Sequence, residues 1–348
     1  MNISDIDKNF IISRDVFRPD MVLHDCLDIG FSLHGVFFQR GKFRRIPEEA
    51  AAGINAGVKE LHSNTAGGRL RFRTDSQYVA VFAKMPDICT FSHMPLTGTS
   101  GFDVYVDNMF HGLIIPPTDC KGEYDGIVEL DGRMHDILID FPLYNDVEAV
   151  TVGLSENATV QSANEYRIKE PTVFYGSSIT QGACASRPGL SYEAILSREL
   201  DFDYINLGFS GAAYGEIQMA EYIAEMEMSC FVLDYDHNAP DIAHLKATHE
   251  PFYRLIREQQ PYLPIIIASA PNARIAEPEW ETRRALIRDN YDRFVDEGDE
   301  NLWYVDGNAL WGSDGWDNCT VDTRHPNDLG LWRMSRALVP VLKTILYS

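Results

Sequence analysis

The spacing of apolar and polar residues divides the chain into two parts with different rhythms. Between about residues 30 and 154, apolar and β-branched residues occur in short runs, and Arg69–Arg73 alternates strictly between polar and apolar side chains. Glycine, proline, aspartate and asparagine separate these runs, as turns require. Many short strands at this spacing predict an antiparallel β-sandwich or jelly roll. The predicted strands are Arg69–Arg73, Tyr78–Phe82, Phe102–Val106, Phe110–Ile115, Ile127–Leu130, Ile137–Phe141 and Ala149–Leu154.

From about residue 172 onward, short and wholly apolar runs alternate with longer amphipathic segments. Such apolar runs are typical of parallel strands that are buried on both faces. Their repeated alternation with helical periodicity predicts a doubly wound sheet of about five parallel strands. The predicted strands are Val173–Tyr175, Tyr204–Leu207, Phe231–Leu233, Ile265–Ala268 and Trp303–Val305. The predicted helices are Tyr192–Leu200, Glu216–Glu227, Ala247–Gln259, Pro278–Glu297 and Asp328–Leu346.

A polar segment without a convincing period, Ser155–Pro171, lies between the two parts, and we interpret it as a linker. We therefore expect an N-terminal domain over residues 1–165 and a second domain over residues 166–348. The segment contains no long flexible tether rich in proline, glycine or serine, so we expect the two domains to dock in a fixed orientation.

Composition and charge narrow the class of protein. The 348 residues are 45% hydrophobic, which is ordinary for a globular chain and excludes wholesale disorder. The net charge of −22 disfavours nucleic-acid and membrane-surface partners, because phosphate groups would repel it. The N-terminus has no pattern of a secretion signal and the six cysteines are scattered, which predicts a cytoplasmic protein with reduced thiols. The basic segment Arg40–Arg45 is interpreted as a solvated loop.

Four polar blocks follow predicted strands or precede the last helix, and in such sheets ligands bind beyond the carboxyl ends of the strands. A serine on a tight turn at a helix start lies near free backbone N–H groups, which stabilise an oxyanion. An aspartate three residues before a histidine is able to accept the imidazole Nδ1–H, which leaves Nε2 free as a base. The blocks are Gly176–Thr180 (GSSIT), Asn206–Gly211 (NLGFSG), Leu233–Pro240 (LDYDHNAP) and Asp322–Pro326 (DTRHP).

In these blocks, and in their order, the sequence resembles the SGNH (GDSL-type) hydrolase superfamily. The resemblance is to the branch with a G-x-S-I-T first block and an N-terminal domain carrying a G-x-D-L-Y-like motif, here Gly101–Tyr105 (GFDVY). It implies a flavodoxin-like parallel sheet preceded by a β-sandwich or jelly-roll domain, without a cofactor. It also implies roles for residues of this chain. The implied roles are nucleophile for Ser178, general base for His325, orienting carboxylate for Asp322, and oxyanion donors for Ser178, Gly211 and Asn238.

Other residues near the blocks have two interpretations each. Arg187 is predicted to bind a substrate oxygen or to form a structural turn, and Trp311 to stack on a sugar or to pack in the core. The loop His93–Gly101, with Met94, is predicted either to form one wall of the pocket or merely to connect two strands. Cys184 is interpreted as a plain thiol. We expect no metal site, because the spacings of His237, His244 and His249 do not place them on one helical face.

These residues predict a serine ester hydrolase, and the family resemblance implies carbohydrate O-acetyl esters as substrates. The alternatives are an acyltransferase that uses the same triad with an alcohol acceptor, and a carbohydrate-binding protein on an inactive hydrolase scaffold. The expected partner is a small or oligosaccharide ester, with no nucleic acid and no membrane. The sequence leaves homo-oligomer formation open.

Overall fold

The computed structural model of the protein describes residues 3–7, 15–271 and 278–347. Its N-terminal part contains two antiparallel sheets, a two-stranded hairpin and short helices. The strands are β1 (Met21–Asp25), β2 (Ser32–His34), β3 (Phe37–Gln39), β4 (Lys42–Arg44), β5 (Arg69–Thr74), β6 (Tyr78–Lys84), β7 (Phe102–Val106), β8 (Met109–Ile114), β9 (Glu123–Glu129), β10 (His135–Asp140), β11 (Ala149–Ser155) and β12 (Val160–Ser162). The helices are α1 (Ile3–Ile6), α2 (Glu48–Ile54), α3 (Ala56–Leu61) and α4 (Leu96–Thr99).

The two N-terminal sheets enclose one hydrophobic core. The first has the strand order β1-β11-β6-β9, and the second has the order β12-β5-β10-β7-β8, with β2 also paired to β5. The alternation along β5 fixes its register against β10, where Leu70 lies opposite Ile139 and Phe72 opposite Ile137. All four of these side chains are buried between the sheets. The predicted antiparallel sandwich is confirmed.

The C-terminal part is one parallel sheet covered by helices on both faces. The strand order is β14-β13-β15-β16-β17, so the chain reverses direction across the sheet after its first two strands. The strands are β13 (Ile168–Gly176), β14 (Phe202–Gly208), β15 (Cys230–Asp234), β16 (Ile265–Ala268) and β17 (Leu302–Val305). The helices are α5 (Ser178–Gln181), α6 (Tyr192–Leu200), α7 (Ile217–Ala224), α8 (Ile242–Gln259), α9 (Pro278–Asp296), α10 (Gly307–Trp311) and α11 (Asp328–Tyr347). The predicted five-stranded doubly wound sheet is confirmed.

The linker and helix α8 differ from the sequence analysis for local reasons. The predicted linker contains β12, which pairs with β5, and the first residues of β13. Strand β12 has three residues at a sheet edge, too few to produce a readable alternation. Helix α8 begins five residues before its predicted start because the Asp241 side chain caps it, accepting a hydrogen bond from the His244 N–H at 2.7 Å.

The strand order determines where a ligand fits on the C-terminal sheet. Strands β14 and β15 lie on either side of β13, and the connections that leave these three strands diverge at their carboxyl ends. Such a switch point forms a crevice in open parallel sheets. Within the described part of the chain, no helix combines the length and the apolar character that a membrane span needs.

Candidate active site

The first polar block forms a sharp turn from β13 into α5. The hydroxyl of Ser177 caps the helix by accepting a hydrogen bond from the Ile179 N–H at 3.1 Å. Ser178 is the first helical residue, so its own N–H has no partner within the helix. Only 8% of Ser178 is exposed. The turn therefore holds a hydroxyl and an unpaired N–H together at the carboxyl edge of the sheet.

His325 reaches Ser178 from the loop that precedes α11. Its Nε2 lies 2.9 Å from Ser178 Oγ, and its Nδ1 lies 2.6 Å from Asp322 Oδ2. The other carboxylate oxygen accepts hydrogen bonds from the backbone N–H groups of His325, at 2.7 Å, and Arg324, at 3.0 Å. Thr323 closes this turn with a φ of 77°, a strained value for a β-branched residue. The structure thus brings hydroxyl, imidazole and carboxylate into one chain of hydrogen bonds.

These hydrogen bonds control the charge of Asp322. Partial burial acts to raise the pKa of its carboxyl group. Hydrogen bonds from the His325 ring and from the backbone N–H groups of His325 and Arg324 outweigh this effect and lower the pKa to about 2. The carboxylate is therefore ionised at neutral pH and favours a proton on His325 Nδ1. That tautomer leaves Nε2 as the nitrogen able to accept the Ser178 proton.

Two further loops place N–H groups at the same edge of the sheet. Gly211 follows β14 with a left-handed φ of 65°, a conformation that favours glycine. Asn238 ends the 3₁₀ turn Asp236–Asn238 after β15, and its Nδ2 donates a hydrogen bond to the Phe209 carbonyl at 2.9 Å. One amide hydrogen of Asn238 is left for another acceptor. The predicted oxyanion donors thus follow three neighbouring strands.

Buried polar contacts between β14 and α5 set the spacing of these loops. Asn206 donates to the Thr180 carbonyl at 2.5 Å and accepts from the Gly208 N–H at 2.9 Å. Gln181 Oε1 accepts from the Ser210 N–H at 3.0 Å. A Cβ atom on Gly208 would lie 2.1 Å from the Gln181 nitrogen, so strand and helix approach through a contact that only glycine allows.

The basic segment Arg40–Arg45 contributes to this framework, which the sequence analysis missed. Arg44 and Arg45 are each only 3% exposed, so the interpretation as a solvated loop was wrong for them. Arg45 Nη1 donates to the Gly208 carbonyl at 2.5 Å and to the Asn206 carbonyl at 3.2 Å. Carbonyl groups at the buried end of β14 need donors, and an arginine from the N-terminal part supplies them.

Comparison with known families decides the classification. Residues 169–343 match the GDSL-like lipase/acylhydrolase family. Residues 21–160 match the G-x-D-L-Y domain found at the N-terminus of SGNH-hydrolase-type esterases. The chain belongs to the GDSL-like lipase/acylhydrolase family. The predicted resemblance and the prediction of an ester hydrolase are confirmed. No match is found among curated proteins.

Solved structures share the fold of this GDSL-like hydrolase over nearly its whole length. A GDSL-like lipase from Bacteroides ovatus is 27% identical, with a TM-score of 0.84 and coverage of 94% of this chain and 98% of that one. A salicylyl-acyltransferase from a tetracycline biosynthetic pathway is 20% identical, with a TM-score of 0.79 and coverage of 95% and 99%. An acetyl xylan esterase from the rumen bacterium Butyrivibrio proteoclasticus is 12% identical, with a TM-score of 0.63 and coverage of 94% and 98%.

In this GDSL-like hydrolase, the loop between β6 and β7 contacts the segment that follows the predicted nucleophile. Met94 is buried, and its sulfur accepts a hydrogen bond from the Cys184 N–H at 3.4 Å. The ring of His93 lies 5.8 Å, centroid to centroid, from the ring of His325. The loop therefore does more than connect two strands, while contact of Met94 with substrate stays a prediction.

The structure places Arg187 in a structural contact, and a contact with substrate stays a prediction. Its Nη1 donates to Asp103 Oδ2 at 2.6 Å and to the Tyr105 hydroxyl at 2.5 Å, and its guanidinium stacks 3.8 Å from the Phe110 ring centre. The Gly189 N–H donates to the same fully buried Asp103 at 3.1 Å. The G-x-D-x-Y motif therefore binds the chain at Arg187 and Gly189, shortly after the predicted nucleophile.

The predicted sugar contact of Trp311 is contradicted by its burial. Trp311 ends α10 and is only 1% exposed. Its ring belongs to the core on one face of the parallel sheet, together with Leu331 and Met334 of α11. A side chain without an exposed face cannot stack on a sugar, so the core-packing alternative describes this residue.

His237 is a neighbour of the site to which the sequence analysis gave no role there. It precedes Asn238 in the third block, and its ring lies 4.8 Å from the Trp280 ring. Burial, followed by the charge of His325, lowers the pKa of His237 to about 3. The side chain is therefore neutral at pH 7, so it adds no second positive charge beside the predicted base.

Proposed function

We propose that this hydrolase removes acetyl groups from carbohydrate esters through an acyl-enzyme at Ser178. The observation that carries the proposal is the 2.9 Å contact between Ser178 Oγ and His325 Nε2, with Asp322 on the opposite ring nitrogen. A serine hydroxyl becomes an effective nucleophile when a base lies within hydrogen-bonding distance. The described geometry supports His325 as that base and Asp322 as the group that orients it.

In the first half-reaction, His325 Nε2 takes the proton from Ser178 Oγ while the oxygen attacks the ester carbonyl carbon. The carbonyl oxygen becomes negatively charged, and the N–H groups of Ser178 and Gly211 and the Asn238 side chain stabilise it. When the tetrahedral intermediate collapses, its bond to the sugar oxygen breaks. His325 returns the proton to that oxygen, and the sugar leaves with a free hydroxyl.

In the second half-reaction, water replaces the sugar. His325 takes a proton from the water molecule, whose oxygen attacks the acetyl carbon on Ser178. The same three donors stabilise the second oxyanion. Collapse releases acetate, and Ser178 Oγ regains its proton from His325. Asp322 stays ionised throughout, because its role is to stabilise the imidazolium and not to accept a proton.

Crowding around Ser178 supports a short acyl group. Ser178 is 8% exposed, and the buried Tyr144 donates a hydrogen bond from its hydroxyl to the Ser178 carbonyl at 3.3 Å. Met94 packs on the adjacent Cys184 from the N-terminal side. The sugar as leaving group is suggested by the shared fold of the acetyl xylan esterase.

The test is release of acetate from acetylated xylo-oligosaccharides, together with kcat/KM on p-nitrophenyl esters of increasing acyl length. We expect activity on both substrate types, highest for acetyl and falling as the acyl chain lengthens. A preference for long acyl chains, or no acetate from any acetylated sugar, would contradict the proposal.

A second candidate is an acyltransferase, in which an alcohol replaces water in the second half-reaction. The shared fold of the salicylyl-acyltransferase, with a TM-score of 0.79, favours testing it. The assay adds an unacetylated xylo-oligosaccharide as acceptor and measures acetate and newly formed ester together. Acetate as the main product supports the hydrolase, and acceptor-dependent ester formation supports the transferase.

A further inference from the structure

Two side chains that the proposed mechanism does not use lie beside its base. They are His93, on the loop between β6 and β7, and Cys184, six residues after Ser178. One potential ligand atom from each of His93, Cys184 and His325 lies within 4.8 Å of the others. Three parts of the chain that are far apart in sequence thus bring two imidazoles and a thiol to one point.

His325 is already oriented as a metal-binding histidine would be. Its Nδ1 is engaged by the Asp322 carboxylate at 2.6 Å, which directs the lone pair of Nε2 toward Ser178. Histidine ligands in metal sites almost always make such a bond through their second nitrogen, and the bond fixes the tautomer and raises ligand basicity. The hydrogen bond from His325 to Asp322 therefore suits His325 both as a base and as a metal ligand.

Cys184 is held in place at the same point. It has a left-handed φ of 64°, its side chain is buried, and its N–H donates to Met94 Sδ at 3.4 Å. Burial, followed by the charge of Asp322, raises the pKa of its thiol to about 12, so it is not a nucleophile at neutral pH. A coordinated metal ion changes this, because it deprotonates a thiol that it binds.

His93 is the ligand that is free to adjust. Its residue is exposed, unlike Cys184, and its ring is tilted by 50° from that of His325. Tetrahedral zinc binds nitrogen at about 2.0–2.1 Å and sulfur at about 2.3 Å, so its ligand atoms lie roughly 3.3–3.8 Å apart. The ligand atoms lie within 4.8 Å of one another here, so zinc binding draws the cluster together. A rotation of the exposed His93 side chain provides that movement.

We propose that His93, Cys184 and His325 form a zinc-binding site that blocks the proposed active site. The two imidazole nitrogens donate their lone pairs to Zn²⁺. The Cys184 S–H bond breaks, a sulfur–zinc bond forms, and the proton passes to solvent. The fourth position is left for water. Imidazole and thiolate favour zinc over magnesium and calcium, which prefer oxygen ligands.

Inhibition follows because zinc occupies the lone pair of His325 Nε2, which the proposed mechanism uses to accept the Ser178 proton. This inhibition rests on the proposed function, but zinc binding does not. The two therefore need separate measurements, one of binding and one of activity.

The binding experiment titrates the full-length, chelator-treated protein with zinc chloride in competition with a chromophoric zinc indicator. We expect one zinc ion per chain. Loss of an outer-shell partner alone weakens metal affinity by about 10–100-fold, so His93→Ala and Cys184→Ser should each weaken it by at least about tenfold. Cys120→Ser is the matched control, a half-buried cysteine outside the cluster, and it should bind as the original chain does.

The outcomes of this titration are decisive in either direction. Ser178→Ala should still bind zinc, which separates the site from any catalytic role of that serine. No stoichiometric zinc binding, or unchanged affinity in both His93→Ala and Cys184→Ser, would overturn the proposal. His93→Ala changes an exposed side chain, so it remains informative if Cys184→Ser does not fold.

The activity experiment measures ester hydrolysis at increasing zinc concentration, with and without a chelator. Zinc should inhibit, the chelator should restore activity, and His93→Ala should raise the half-inhibiting zinc concentration by the same factor as its loss of affinity. Equal inhibition of His93→Ala and the original chain would contradict the site. If no ester is hydrolysed, the proposed function fails, and the binding titration still decides the zinc site.

Discussion

Each end of the segment from Ser178 to Gly189 is linked to a different aspartate, the first end through His325 and the second end directly. Near its start, Asp322 binds the His325 ring from an exposed turn, and its hydrogen bonds lower its pKa to about 2. Near its end, Asp103 binds Arg187 and the Gly189 N–H while fully buried. Burial, followed by the charge of Asp140, raises the pKa of Asp103 despite its arginine partner.

The comparison shows that the two aspartate contacts serve different purposes, one in catalysis and one in stability. Asp322 remains charged because hydrogen bonds from the His325 ring and from two backbone N–H groups stabilise the carboxylate, as orientation of a base requires. Burial of Asp103 costs desolvation free energy but holds its contacts in a fixed geometry. Such a contact suits its position between the N-terminal sandwich and the segment that ends at Gly189. Mutations at the first end should therefore change catalysis, and those at the second should change stability.

The largest expected effect is that of Ser178→Ala. Loss of the nucleophile should lower kcat for acetyl esters by about 10⁴–10⁶-fold and leave the melting temperature nearly unchanged. Ser177→Ala is the matched control, since it removes a helix cap and should cost about 1 kcal/mol of stability while most activity remains. Activity in Ser178→Ala with none in Ser177→Ala would move the nucleophile by one residue.

Next in size is the contrast between His325→Ala and Asp322→Asn. His325 transfers the proton, whereas Asp322 orients the ring and stabilises its charge, so the histidine variant should lose more kcat. The aspartate variant should retain measurable turnover in a p-nitrophenyl acetate assay. Equal losses in both variants would indicate that the carboxylate takes a larger part than orientation.

At the other end of the segment, Arg187→Met should lower the free energy of unfolding by about 3 kcal/mol, because it leaves a buried carboxyl group without its partner. Urea unfolding measures the effect. Arg133→Met is the control, since Arg133 pairs with Asp131 on the surface, and it should leave the unfolding midpoint unchanged. An equal loss of unfolding free energy in Arg187→Met and Arg133→Met would contradict the structural role given to the Asp103 contact.

The buried carboxyl group of Glu193 predicts how the stability of the protein depends on pH. It is fully buried in α6, and burial raises its pKa to about 8. In the unfolded chain the carboxyl group titrates at about 4.3, so the folded state holds its proton more tightly and loses stability as pH rises from about 4.3 to 8. Glu193→Gln should gain about 1–3 kcal/mol of stability at pH 8 relative to pH 5. Urea unfolding at both pH values measures this gain, and an equal effect at both would contradict the sign.

The smallest expected effect is that of Met94→Ala. This side chain packs on Cys184 from the N-terminal sandwich, so truncation should loosen one wall of the pocket. We expect a several-fold increase in KM for acetylated oligosaccharides and little change for p-nitrophenyl acetate. Met109→Ala, an exposed methionine on β8, is the control. A KM increase on both substrates would show that the loop does not distinguish large from small esters.

The strands and the four polar blocks could be predicted because each depends on the order of residues within a short stretch of sequence. Alternation predicted β5, and unbroken apolar runs predicted the buried strands β15 and β16. The sheet then placed Ser178 and His325 together although they are far apart in the chain. Asp322 and His325 are three residues apart, so their contact was predictable from spacing alone.

Contacts between different elements of the fold were not readable, because nothing local in the sequence encodes them. Arg187, close to the predicted nucleophile in the sequence, suggests contact with a substrate oxygen until its partner Asp103 is seen in another sheet. Arg45 in a basic run suggests a solvated surface until the carbonyl groups of β14 are seen to need donors. Trp311 lies in a segment rich in glycine, which gives no sign that α11 covers its ring.

The central claim is that Ser178, activated by His325, forms the acyl-enzyme. The most direct measurement treats the full-length protein with a fluorophosphonate that reacts with activated serines and maps the modified residue by peptide mass spectrometry. We predict one label per chain, on Ser178, and almost none in His325→Ala. A label on Ser177, full labelling of His325→Ala, or no labelling of the original chain would contradict the account.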